Sequence, residues 1–149
     1  MRRRYKRELY TERVGLIKTL MPHCCIGVDV IVGFPGETDE DFKETFDFLH
    51  TLDISYLHVF TYSERANTAA LDIKPVVPVN VRHERNKLLR HLCYQKMQYF
   101  TQQHIGETRK VLFESHSKNN MMEGYTDNYI KLTVPYKKEW VNNIVEWKI

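Results

Sequence analysis

The sequence predicts an α/β segment of helix–strand–helix–strand order followed by a small all-β barrel, and three observations carry that expectation. Residues 26–34 form a nearly continuous apolar run rich in valine, the pattern of a strand covered on both faces in a parallel sheet. Helical periodicity stands before and after this run, and such alternation calls for parallel strands joined by right-handed crossovers. Beyond Gly106 the pattern changes to short strands punctuated by turn residues, which is how small β barrels read. The boundary is therefore expected near Gly106, with residues 1–105 as the α/β part and 106–149 as the β part.

Each element has its own signals. Tyr5, Leu9, Val14, Ile17 and Leu20 recur near helical spacing until Pro22 stops them. Gly36 turns the chain after the first strand. Thr38 with Asp41 three residues on resembles a capping box, and Phe42, Phe46, Leu49 and Leu52 supply the buried stripe of the helix it opens. Residues 55–62 read as a second buried strand. A loop holding Pro75 and Pro78 leads to an expected cap at Asn80 and a long helix to about His104, ended by Gly106, with Leu89, Cys93, Met97 and Phe100 along one face. Four strands are expected at 108–114, 121–125, 129–134 and 144–149, with turns at 118–120 and 142–143. Ile130, Leu132 and Val134 alternate with Lys131 and Thr133, so one face of that sheet is wet.

The chain has 149 residues, 42% apolar and 28% charged, enough for one medium domain or two small ones. No apolar run of about 18 residues exists, and the basic N-terminus leads into a charged helical pattern rather than a signal core. The expectation is an intracellular, cytoplasmic protein with no membrane partner. Formal net charge is +3, but residues 1–21 and 82–96 are basic while 37–47 are acidic. Such segments are solvated helix faces or a surface for a polyanion, and charge alone leaves both readings open. Cys24, Cys25 and Cys93 lack metal-ligand spacing, so no metal site is expected and the thiols read as small reduced core fillers.

Strand parity singles out the candidate site. Val28, Val30 and Val32 share one face of the first strand, suited to a covering helix, which turns Asp29, Ile31 and Gly33 the other way. A carboxylate there needs a hydrogen-bond partner or a polar ligand. Gly33 allows close approach to the backbone, and Pro35 with Gly36 turns the chain at the strand's C-terminal end, where sites on parallel barrels lie. A structural Asp and an ordinary turn is the competing account. In the second strand Leu57, Val59 and Thr61 share one face and His58, Phe60 and Tyr62 the other, so His58 joins Asp29 either as a satisfied core histidine or as a working group. Tyr62, Ser63 and Arg65 fall at or past the strand end, and Ser63 lacks the partners of a hydrolytic nucleophile.

These segments resemble a known family. Asp29-x-Ile31-x-Gly33-x-Pro35-Gly36-Glu37 is similar to the fifth-strand motif of several radical-SAM families, and residues 60–69, from Phe60 through Tyr62, Ser63, Arg65 and Thr68, resemble the sixth-strand signature of the tRNA methylthiotransferases. Residues 1–5 resemble the start of the helix after their fourth strand, and Gly124 to Tyr129 resemble part of their TRAM domain. The resemblance implies half of a radical-SAM TIM-like barrel over residues 1–105 and an OB-like TRAM barrel over 106–149. It further implies S-adenosylmethionine and [4Fe–4S] clusters as cofactors. The tRNA anticodon stem-loop is the implied partner, and the reaction is methylthiolation of carbon 2 of adenosine 37, in the N6-threonylcarbamoyladenosine branch.

By position the resemblance assigns Asp29 to the ribose hydroxyls of S-adenosylmethionine, and Ile31, Gly33 and Phe60 to its adenine. Tyr62, Ser63 and Arg65 would lie near the target nucleotide. Arg3, Arg4, Arg109, Lys110 and Lys131, with Tyr125 and Tyr129, are the candidates for RNA contact by phosphate pairing and stacking; the two tyrosines read equally well as core. The family's Cys-x-x-x-Cys-x-x-Cys motif is absent, Asn67 stands where many members have glycine, and Asn142-Asn143 replaces a glycine turn. The expectation is a truncated product, inert alone because no cluster supplies electrons, with open sheet edges that invite association. Two alternatives are a stand-alone RNA-binding module and the isopentenyladenosine-specific branch.

Overall fold

The computed structural model describes residues 6–114 and 118–149. Arg3 and Arg4 lie outside them. The chain divides into two compact units: the residues up to Pro22 with Ile26–Gln98, and His23–Cys25 with Tyr99–Ile149.

In the first unit, α1 (Arg7–Leu20) precedes β1 (Gly27–Val32), α2 (Asp39–Thr51), β2 (Tyr56–Thr61) and most of α3 (Val79–Gln103). β1 and β2 pair in parallel, Gly27 opposite Tyr56 through Val32 opposite Thr61. Thr38 caps α2 as expected: its Oγ1 accepts the Asp41 amide and its own amide donates to the Asp41 carboxylate, satisfying two donors a helix start leaves open. The core joins Val28, Val32 and Leu57 of the strands to Val14, Leu49, Leu89 and Leu92 of the helices, with Leu52 and Ile54 beneath.

Several local expectations need correcting. Leu9 and Leu20 of α1 are exposed, because the face of α1 that packs runs through Tyr10 and Val14. α3 begins at Val79, so Asn80 lies within its first turn and does not cap it. Leu92 rather than Met97 completes the packed face of α3. Arg82 and Arg85, counted on sequence among solvated or polyanion-facing charges, are buried. The outer edge of β2 is also covered: Cys93 Sγ bonds the Leu57 amide and carbonyl at 3.2 and 3.3 Å, and Asn86 Nδ2 donates to the Val59 carbonyl.

The second unit holds β3 (Thr108–Phe113), β4 (Met121–Thr126), β5 (Lys131–Pro135) and β6 (Ile144–Lys148). They form one antiparallel sheet in the order β5-β4-β3-β6. This sheet does not close on itself, so the expected barrel is corrected to an open four-stranded sheet. Its covered face is sealed by side chains instead: Phe113, Val111, Met122 and Val134 are buried, and Trp140, Trp147 and Tyr136 pack on them. Phe113 stacks on Trp140 at 5.5 Å between centroids and meets Trp147 edge-on at 6.0 Å. Gly124 permits this, since a Cβ there would lie 2.6 Å from Phe113 Cδ1 and 2.7 Å from the Leu112 carbonyl. Likewise, no barrel is closed by the two parallel strands of the first unit among the described residues.

Candidate functional site

The two faces of the β1–β2 sheet differ as parity requires. Val28, Val32 and Leu57 are buried under helices, while Asp29, Ile31, His58 and Phe60 are exposed, Ile31 at 40% and Phe60 at 52%. The parallel register sets Asp29 opposite His58 and Ile31 opposite Phe60. One carboxylate and a row of flat or branched apolar groups thus share an open face. His58 is therefore no buried core histidine.

Tyr56 extends this row, and the sequence reasoning overlooked it. Its ring packs over Gly27, where a Cβ would overlap it, and its hydroxyl meets His58 Nε2 at 3.0 Å. The same parity that selected His58 would have found it, two residues earlier and facing a glycine. Asp29 also borders a cleft of about 430 Å³ lined from α1, β1 and α2 by Tyr10, Val30 and Phe48 among others.

The C-terminal ends of both strands are braced by α3. Gly33 has φ +76, and a Cβ there would overlap Arg82 Cγ, so the space its missing side chain leaves is filled by Arg82. The Gly33 amide donates to Glu37 Oε2 at 2.7 Å and that of Phe34 at 3.3 Å. Arg82, 4% exposed, donates from Nε to the Val77 carbonyl, from Nη1 to the Tyr62 carbonyl and from Nη2 to Glu64. The last bond holds the Glu64 carboxyl below its ordinary range. Arg85 ties Glu37 Oε1 at 2.8 Å and Asp39 at 2.6 Å. Two buried guanidiniums thereby fix the loop after β1 and the loop after β2 to one helix, each through several bonds in fixed directions.

Tyr62 sits half-buried with its ring against Phe34 at 5.3 Å. Ser63 and Arg65 are exposed beyond the strand end. Asn67 has φ +62, a left-handed conformation that asparagine tolerates and glycine adopts freely. Asn142 does the same at φ +57 in the β unit.

In the β unit Arg109 is largely buried and spent within the chain, on Glu107 at 2.8 Å and Asp127 at 3.2 Å. Lys131 pairs with Glu123 at 2.7 Å, while Lys110 is exposed. Tyr129 is 65% exposed at φ +70, with the half-buried Tyr125 ring 5.1 Å away.

Similarity to known proteins runs along most or all of the chain. It is 37% identical across its whole length to threonylcarbamoyladenosine tRNA methylthiotransferase MtaB of Bacillus subtilis, and 42% identical over 89% of its length to the enzyme of the same name from Aquifex aeolicus. It is 38% identical, again throughout, to tRNA-2-methylthio-N(6)-dimethylallyladenosine synthase of Bacillus velezensis. The chain is homologous to one part of the tRNA methylthiotransferases. It spans 34%, 31% and 30% of the length of these three methylthiotransferases. No family model matches the sequence. Among the described residues no helix is long and apolar enough to cross a membrane.

Proposed function

We propose that this chain is the part of a radical-SAM tRNA methylthiotransferase that closes the catalytic barrel and carries its RNA-binding TRAM module, acting on N6-threonylcarbamoyladenosine 37. The whole-length identity to methylthiotransferases is the observation that carries this reading. β1 and β2 are then the last two barrel strands, and the antiparallel sheet is the TRAM module.

The exposed face of β1–β2 suits the nucleoside half of S-adenosylmethionine. Asp29 offers a carboxylate to a ribose diol, and Ile31 and Phe60 offer apolar surface on which a flat base can lie. Gly33 shapes the strand end beside this face and does not touch the ligand itself, its amide being held by Glu37 and the space beside it filled by Arg82. Tyr62, Ser63 and Arg65, held by the Arg82 brace, stand at the mouth for the target nucleotide, with Arg65 free in geometry to pair a phosphate or carboxylate. Asp29, Ile31 and Phe60 would hold the nucleoside of S-adenosylmethionine, which, given an electron from a cluster held outside this chain, would supply radical chemistry; the part of these residues is to bind and orient. A [4Fe–4S] cluster does not fit the thiols here, since Cys24 and Cys25 are adjacent and Cys93 Sγ is engaged with the β2 backbone. In the β unit, Tyr129 and Lys110 are the exposed groups best suited to a base and a phosphate; Tyr125 is half-buried beside Tyr129, Lys131 is exposed but paired with Glu123, and Arg109 acts by shaping the surface.

The test is mass spectrometry of tRNA nucleosides after disruption of the encoding gene. Loss of 2-methylthio-N6-threonylcarbamoyladenosine with the isopentenyl nucleoside retained is expected. Loss of the isopentenyl product instead would move the chain to the other branch, and no change in either would end the enzymatic reading. A stand-alone RNA module would leave both nucleosides intact while the purified chain binds tRNA with a log-log salt slope of about −0.7 per phosphate neutralised on single strands.

A further inference from the structure

A cluster in the second unit stands outside everything assigned so far. His104, at the end of the long helix, is 4% exposed, with its ring edge-on to Phe100 at 4.7 Å. Its Nδ1 lies 3.1 Å from Glu107 Oε2, and its Nε2 is buried without any hydrogen-bond partner among the described residues. A buried polar nitrogen left unsatisfied is costly, so this ring is not a self-sufficient core histidine. The exposed His23 ring lies beside it, 5.5 Å between centroids.

We infer that His23, His104 and Glu107 form a binding site for a divalent cation of the zinc class. One ligand atom from each residue, a ring nitrogen of both histidines and a carboxylate oxygen, lies within 4.8 Å of the other two. Zinc–nitrogen and zinc–oxygen bonds of about 2.0–2.2 Å set tetrahedral ligands about 3.4 Å apart, so the widest pair closes by up to about 1.4 Å. The exposed His23 can supply that movement by rotating its side chain. The two imidazoles are borderline donors that favour zinc over magnesium or calcium, and a single carboxylate is a common third zinc ligand.

The surroundings suit a cation as well. Glu107, Asp127 and Glu146 line the adjoining cleft of about 620 Å³ against Arg109 and Lys110, so carboxylates outnumber the fixed cations. Arg109 bonds Glu107 through Oε2 alone, at 2.9 Å from Nε and 2.8 Å from Nη2. This orients the carboxylate and leaves Oε1 outside those bonds, the kind of outer contact that positions metal ligands. The sequence hid the site because His23 and His104 stand in separate elements and neither sits in a ligand-spaced motif.

The experiment is titration of the whole chain, stripped by chelator, with Zn²⁺ by calorimetry and with Co²⁺ by absorbance. One ion per chain is expected, with a Co²⁺ spectrum free of thiolate charge-transfer bands. His23→Ala, an exposed change that leaves the metal-free unfolding temperature alone, should weaken Zn²⁺ binding at least tenfold, and Glu107→Gln should weaken it too. The Cys24→Ser/Cys25→Ser double variant should bind as the parent does. Absence of Zn²⁺ binding, undiminished affinity in His23→Ala, or loss in the double-cysteine variant would each overturn the inference.

Discussion

The two sheets of this molecule use aromatic side chains in opposite ways. In the parallel pair β1–β2 the covered face is aliphatic, Val28, Val32 and Leu57, while Tyr56, His58 and Phe60 lie in a row on the open face. In the antiparallel sheet the aromatics are the core: Phe113 is fully buried between Trp140 and Trp147. A small sheet that does not close needs large side chains to fill its single covered face, so there aromatics give volume and area. In the first unit three helices already cover the strands, and the aromatics left outside stand on an exposed face, where the proposed nucleoside site would use them.

The largest expected effect breaks the buried use of aromatics. Phe113→Ala should destabilise the β unit by about 3–5 kcal/mol, the range for truncating a buried phenylalanine. Both tryptophans of the chain, Trp140 and Trp147, are in this unit, so tryptophan emission during urea unfolding reads it selectively. Helical ellipticity reads mainly α1, α2 and α3. The emission midpoint should fall much further than the ellipticity midpoint; equal shifts would mean that the aromatic core supports the whole chain.

Next comes the brace beneath the open face. Arg85→Ala strips Glu37 of its buried partner, and Glu37 in turn holds the Gly33 and Phe34 amides. The cost should be roughly 2–3 kcal/mol, under that for a fully buried pair because Asp39 stays hydrated. Chemical denaturation of the variant measures it, and a change under about 0.5 kcal/mol would show that the loop keeps its conformation without Arg85.

Thr38→Ala should cost about 1 kcal/mol through the lost cap. It also has a pH signature. Backbone and side-chain bonds from Thr38 hold the Asp41 carboxyl below its usual 3.8. A lowered folded-state pKa gives stability that is present above 3.8 and is lost as pH falls through the folded value. Thr38→Ala removes the side-chain bond and keeps the larger backbone one, so the acid limb of the stability curve should be only slightly shallower than in the parent, as acid titration followed by ellipticity would register.

The contrast between faces was legible in the sequence because strand periodicity is two and the valines identify the helix side. The capping box was legible for a similar reason, since Thr38 and Asp41 are local. What stayed hidden depends on partners distant in sequence. Arg82 and Arg85 read as solvated charges until the loops they bind, at Glu37, Tyr62 and Glu64, are brought to α3. Gly33 read as room for a ligand, whereas its left-handed backbone and the Arg82 side chain explain it. Closure of the β sheet was likewise beyond periodicity, which marks strands and not whether the first meets the last.

The smallest expected effect on stability bears most directly on the open face. Phe60 and Leu57 belong to the same strand, on opposite faces, and are 52% and 5% exposed. Leu57→Ala removes a packed side chain and should cost about 2–5 kcal/mol. Phe60→Ala removes a larger one from a half-open surface and should change stability by no more than about 0.5 kcal/mol. Denaturant midpoints of the two variants compare them within one β2 strand, so strand propensity and position largely cancel. If Phe60→Ala proves as costly as Leu57→Ala, its ring is core and cannot serve as a platform for an adenine, and the nucleoside reading of Asp29, Ile31 and Phe60 fails with it.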